Sequence, residues 1–165
     1  MEPEQQARER IDDLLTRAGW AAQNTGAVNL YARRGVAVRE FPLKAGHGEA
    51  DYLLYVDGKT AGVVEAKRVG STLTGVEPQS KKYSEGLPDD LPAWRRPLPF
   101  LYESTGIETR FTSGLDPDPR SRQVFAFHQP ETLAEWLAIP GTVGEARLRD
   151  DLKVAEPRIG RSDLL

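Results

Sequence analysis

The stretch DYLLYVDGKTAGVVEAK, residues 51–67, restricts the fold more than any other part of the chain. Asp57-Gly58 between two apolar runs is a strong hairpin signal and predicts strands over 51–56 and 60–66. The strands are core-grade in their middles and charged at their open ends, with Asp51 on one and Glu65 and Lys67 on the other. Faces alternate along a strand, so Glu65 and Lys67 project together, on the side of Val63 and Ala61. Parity then decides whether Asp51 joins them. A two-residue Asp57-Gly58 turn pairs Asp51 with Val64 and sends Asp51 and Glu65 to opposite faces. A three-residue loop, Val56-Asp57-Gly58 with Gly58 left-handed, pairs Asp51 with Val63. Glu65 is then a same-face diagonal neighbour, about 7–8 Å away. The expectation is the odd-length loop, or a bulge with the same effect.

Two carboxylates brought together in this way suit a hard divalent cation, which prefers oxygen ligands. A metal held by Asp51 and Glu65 polarises a phosphoryl oxygen and lowers the pKa of a bound water. Lys67 is placed to orient that water or to stabilise charge developing on the phosphate. The same spacing also suits a plain surface hairpin whose end charges are solvated.

The rest of the chain predicts a mixed α/β sheet with helices packed on it. Ala7, Ile11, Leu14, Leu15 and Ala18 recur at helical spacing over 4–18, with Gly19 as the cap. GVAVREF at 35–41 reads as a strand. VEPQSKKYSEGL reads as a helix, with Pro78 in its first turn and Gly86 as its stop. Pro88, Pro92, Pro97 and Pro99 then forbid a helix. Strands follow at 100–104, 107–113 and 122–127, and a short helix at 130–138. The pattern weakens after about residue 140. This divides the chain into a domain over 1–140 and a tail or linker over 141–165.

At 165 residues the chain is large enough for one domain with a real core. No run reaches the roughly 18 apolar residues of a membrane span. The polar start MEPEQQARER is not a secretory signal, and the absence of cysteine excludes disulfides and thiolate metal sites. Both points fit a cytoplasmic protein. The net charge of −3 argues against a general nucleic-acid coat. Charge is uneven, however: Arg33, Arg34, Arg39 and Lys44 face only Glu40 across 31–48, and Lys81/Lys82 form a further basic pair. Such patches hold phosphates even on an acidic protein. Gly58-Lys59-Thr60 lacks the upstream glycine and strand of a phosphate loop, and a hairpin turn explains it better. His47 and His128 show no metal-ligand spacing. Trp20, Trp94 and Trp136 suit packing, with base stacking a secondary reading for Trp94 alone.

The pattern Asp51…Glu65-Ala-Lys67 resembles the PD-(D/E)xK nuclease motif, with Ala50 where the motif's name has proline. EADYLLY…GVVEAKR resembles its form in the endonuclease domain of the type I restriction enzyme motor subunit. ERIDDLLTRAGW at 9–20 is similar to that family's first helix, and Gln79 and Tyr83 match its Q-x-x-x-Y element. ESTGIETRF and DPDPRSRQVFAFHQPETL resemble the segment after the nuclease core. The resemblance implies a restriction-endonuclease-like fold, a mixed sheet flanked by helices, and Mg²⁺-dependent cleavage of double-stranded DNA, with Mn²⁺ as the alternative ion. It makes Asp51, Glu65 and Lys67 the catalytic set and adds Glu9 as an acidic helper to the metal. Gln79 and Tyr83 become supports of the cleft, with Arg33, Arg34, Lys44, Lys81 and Lys82 guiding the DNA backbone. It also implies a motor domain that supplies ATP chemistry, and methylation and specificity subunits as partners. The motor is missing from this chain, which reads as an excised domain. A branched-DNA (junction-type) nuclease and a non-cleaving coupling module with the same fold stay open beside this reading.

Overall fold

The computed structural model of the protein describes residues 2–73, 82–83 and 85–139. The tail predicted over 141–165 and most of the helix predicted over 76–87, including Gln79 and Lys81, lie outside them.

Helix α1, Pro3–Arg17, opens on a proline, which is preset for a first helical turn, and carries Glu4 in that turn and Arg17 in its last. Ala7, Ile11 and Leu15 recur every four residues and are fully buried, forming one stripe. Ile11 and Leu15 each contribute about 1.5–3 kcal/mol through burial. Gly19, with φ of +99°, turns the chain out of the helix.

Among the described residues seven strands follow, hydrogen-bonded in chain order: β1 Ala21–Asn24, β2 Gly35–Pro42, β3 Glu49–Val56, β4 Lys59–Ala66, β5 Phe100–Ser104, β6 Thr109–Ser113 and β7 Arg122–Val124. The β1–β2 and β4–β5 pairs are parallel and the others antiparallel. Helix α2, Pro130–Ala138, closes the described chain. The sequence pattern does not announce β1, whose four residues are short and partly exposed. The strand expected over 122–127 stops at Val124, and Phe125 is almost wholly exposed.

The sheet carries a core on each face. Ile11, Leu15 and Trp20 pack with Tyr52, Leu54, Val64, Tyr102, Phe111 and α2 residues Leu133 and Leu137 on one side. Val36, Val38, Leu53, Val63 and Leu101 pack with Tyr83, Leu87 and Leu98 on the other. The middle strands are therefore buried on both faces, which is why their sequences read as apolar runs. Gly35 lets α2 approach: a Cβ there would lie 2.2 Å from Pro130 and 2.7 Å from Trp20. The tryptophans do structural work. Trp20 donates to the His128 carbonyl at 2.9 Å, and Trp94 donates to the Val56 carbonyl at 2.8 Å with Lys59 over its ring. The Pro-rich segment is irregular, and Arg96 gathers it by donating to the carbonyls of Pro88 and Leu91 at 2.9 and 2.8 Å. No helix among the described residues is long and apolar enough to cross a membrane.

Candidate active site

The hairpin turn has two residues, not three. Asp57 and Gly58 both take positive φ, 50° and 84°, the primed geometry that matches strand twist. Val56 pairs with Lys59 and Tyr55 with Thr60, but Leu54 then pairs with Gly62. Ala61 is the extra residue of a β-bulge, and it advances every later position of β4 by one. Tyr52 faces Val64, so continuing the register places Asp51 opposite Glu65. The expected convergence thus arises through the bulge, and the two acids are directly opposed rather than diagonal. The bulge also separates Ala61 from Val63: Ala61 joins the core under α1 and Val63 the core on the other face. Gly62 belongs to the same device, since a Cβ there would lie 2.3 Å from the Phe100 carbonyl oxygen.

The parallel β4–β5 register places Glu103 beside Glu65. Three carboxylates therefore run across β3, β4 and β5 at one end of the sheet. Glu103 is only 5% exposed. Glu103 is none of the site residues named above, yet the sequence carries a signal for it: FLYE and GVVE are both apolar runs ending on glutamate. Parallel pairing aligns the two ends.

Asp51 and Glu65 are each held by named partners. One Asp51 oxygen accepts from the Ala66 backbone N–H at 2.8 Å, and the other accepts from Arg8 at 2.5 Å. Lys67 forms a 3.1 Å salt bridge with Glu65, and the Tyr83 hydroxyl donates to the other Glu65 oxygen. Burial pulls the Lys67 ammonium down. Its bond to Glu65 and the charges of Glu65, Glu103 and Asp51 outweigh that and hold it above its ordinary value. Burial and then the Glu65 charge push the Tyr83 hydroxyl far up, so it remains a neutral donor.

Helix α1 closes the flank. Glu9, exposed on α1, lines a cavity of about 270 Å³ together with Asp51, Arg8, Asp12 and Arg39. Tyr52 donates to Asp12 at 2.8 Å and to the Arg8 carbonyl at 2.9 Å, anchoring the helix to β3. The predicted basic residues are dispersed. Arg33 and Arg34 are exposed near the turn end of the hairpin, where Arg34 pairs with Asp57. Lys44 pairs with Asp89 at 3.0 Å, and Lys82 lies over the Tyr83 ring. Arg110 and Arg120 spend their charge on local partners, Ser121 and Asp118.

Among the described residues no group of three or more His, Cys, Asp and Glu side chains gathers at metal-holding spacing. The donor set still fits Mg²⁺, which is usually bound through one or two carboxylates and keeps several waters. The cations of Arg8 and Lys67 already stand against the two opposed acids, which marks the place as one that accepts positive charge.

A family model described as the second domain of the type I restriction enzyme EcoKI endonuclease subunit matches residues 25–108, just over half of the chain. That span contains Asp51, Glu65, Lys67, Tyr83 and Glu103 and leaves α1 outside. The fold is similar to a solved fragment assigned to an HsdR subunit of a type I restriction enzyme from Vibrio vulnificus YJ016. The TM-score is 0.58, with 21% identity over 83% of this chain. The match covers 25% of that fragment, so the chain spans about a quarter of its length. No curated protein matches.

Proposed function

Since the chain belongs to the family of type I restriction enzyme endonuclease subunits, we propose that it is their Mg²⁺-dependent DNA-cleaving region. In this reading it hydrolyses phosphodiester bonds with little sequence specificity of its own. The observation that supports it most is the bulge-set opposition of Asp51 and Glu65, with Lys67, just past the end of β4, in a salt bridge to Glu65.

Asp51 and Glu65 would hold the ion, with Glu9 contributing from α1. When bound, Mg²⁺ supplies Lewis-acid activation of a phosphoryl oxygen and a more acidic water. The chain's own groups position and balance charge. The Ala66 N–H fixes the rotamer of Asp51, and Tyr83 does the same for Glu65. Lys67 is a charged donor, suited to charge building on the phosphate in the transition state. Its salt bridge to Glu65, with the charges of Glu103 and Asp51, keeps it an ammonium and supports that role over a base's. Arg33 and Lys82, both exposed, offer backbone contacts whose strength falls as salt rises. The double-stranded DNA substrate, the ATP-driven motor domain, the methylation and specificity subunits and the cytoplasmic setting complete this reading as partners and context.

The test is calorimetric titration of Mg²⁺ or Mn²⁺ into wild type, Asp51→Ala and Glu65→Ala, with nicking of supercoiled plasmid measured in parallel. Binding and nicking in wild type, both lost in the two variants, is the expected result. Metal binding without nicking points to the coupling module instead. Cleavage confined to branched DNA points to the junction-type enzyme.

A further inference from the structure

We propose that Arg8 is a resident counter-cation of the carboxylate site, which a divalent ion must displace, and that Glu40 receives it when it leaves. The inference rests on the metal reading of Asp51 and Glu65 and adds to it a step that controls loading.

Both oxygens of Asp51 are engaged, one by the Ala66 N–H and the other by Arg8 at 2.5 Å. The backbone donor cannot leave without opening β4. The arginine can. An incoming ion therefore meets Asp51 on the side Arg8 occupies, and the guanidinium competes with it for the same negative charge.

The second nitrogen of Arg8 already reaches Glu40, at 3.3 Å. Glu40 is opposite Asp51 in the β2–β3 register, between the pairs Arg39–Tyr52 and Phe41–Ala50. It is held at a φ of +52° inside a strand. A glutamate in that conformation is strained and persists only where its surroundings enforce it. The Glu40 side chain is far more exposed than that of Asp51, 59% against 18%. It is an outer acceptor beside an inner one.

Arg8 is incompletely satisfied where it stands. Its Nε is buried and has no hydrogen-bond partner among the described residues. An arginine serving only to staple α1 to the sheet would use that donor. The side chain borders the 270 Å³ cavity, which gives it room to swing. Its charge is permanent, so it leaves by moving and not by losing a proton. Glu4, Glu40 and Asp51 are the acids whose charge acts on it.

The experiment is calorimetric titration of Mg²⁺ into wild type, Arg8→Gln and Asp51→Asn. A second measurement follows the Arg8 Nε–H resonance of ¹⁵N-labelled wild type through the same titration. Removing a charge-assisted competitor should tighten binding in Arg8→Gln, by about tenfold. The wild-type resonance should shift with the midpoint of the calorimetric curve. Equal or weaker binding in Arg8→Gln overturns the proposal and leaves the metal site standing, as does an Arg8 resonance that ignores saturating Mg²⁺. Absence of binding in both wild type and Arg8→Gln overturns the metal reading and this proposal with it. If Arg8→Gln fails to fold, the resonance alone decides.

Discussion

Asp57 at the turn of the central hairpin and Asp51 at its open end each accept from an arginine on another element. At the turn, Arg34 grips Asp57 with two hydrogen bonds of 3.0 and 2.9 Å, and both side chains are well exposed. The pair is self-contained, one charge against one. At the open end Arg8 meets Asp51 at a more buried place, and Glu65, Glu103, Lys67 and Tyr83 share the same face. Both bonds are between arginine and aspartate, but the turn has an isolated ion pair and the open end a half-buried cluster of carboxylates and cations. Water screens the first and screens the second much less. Charges concentrated where screening is weak are what a site for a cation and a phosphate requires.

The largest effect that would break the contrast is on chemistry. Asp51→Ala or Glu65→Ala should abolish metal binding and lower cleavage on the order of 10³-fold, the scale of a lost positioned catalytic group. Asp57→Ala should leave both unchanged. If plasmid nicking and calorimetry show similar losses in all three, the two ends are not functionally distinct.

Next comes the device that separates them. Gly62→Ala pushes a methyl group into the Phe100 carbonyl and should cost about 3 kcal/mol. Metal affinity should fall as well, because β4 must shift away from β5 and carry Glu65 out of its place opposite Asp51. Chemical denaturation and calorimetry read the two losses separately. Destabilisation with unchanged affinity would show that the alignment does not depend on this close approach.

A smaller effect tests whether stability and site are separate. His128 is held below its ordinary value of 6.5 by burial and then by Arg122, while its ring nitrogen lies 2.6 Å from the Tyr102 hydroxyl. The unfolded chain therefore binds the proton more readily. This contribution to stability is whole above pH 6.5 and falls as pH drops through that value toward the lower folded-state one. Denaturation midpoints at pH 7.5 and pH 5.5 should show the drop in wild type, and a His128→Phe variant should show less of it.

The smallest effect belongs to the turn. Arg34 holds Asp57 below the ordinary value of 3.8, so this pair's contribution is present above that pH and is lost as pH falls through the folded-state value. Exposed pairs contribute little, and salt screens them. Asp57→Asn should shift the unfolding midpoint only slightly, and less in 1 M salt than in dilute buffer. A large shift would mean that the turn is not the inert end.

The sequence by itself determined most of the elements, though not β1, and the pair of acids Asp51 and Glu65. Apolar spacing marked α1 and α2, Asp-Gly marked the hairpin, and the runs before Glu65 and Glu103 marked buried strands, because burial is written directly in side-chain chemistry. It also required that something other than a plain two-residue turn bring Asp51 and Glu65 together. Only the tertiary structure decided how. The bulge at Ala61 depends on how β3 and β4 settle against each other and on the contact of Gly62 with β5, and no local propensity specifies it. Glu103 joins the row because two strands distant in the chain are parallel and in register. Glu40 stands beside Asp51 through the β2–β3 register, and Arg8 reaches both because α1 packs against the sheet there, which residue spacing within the helix does not record.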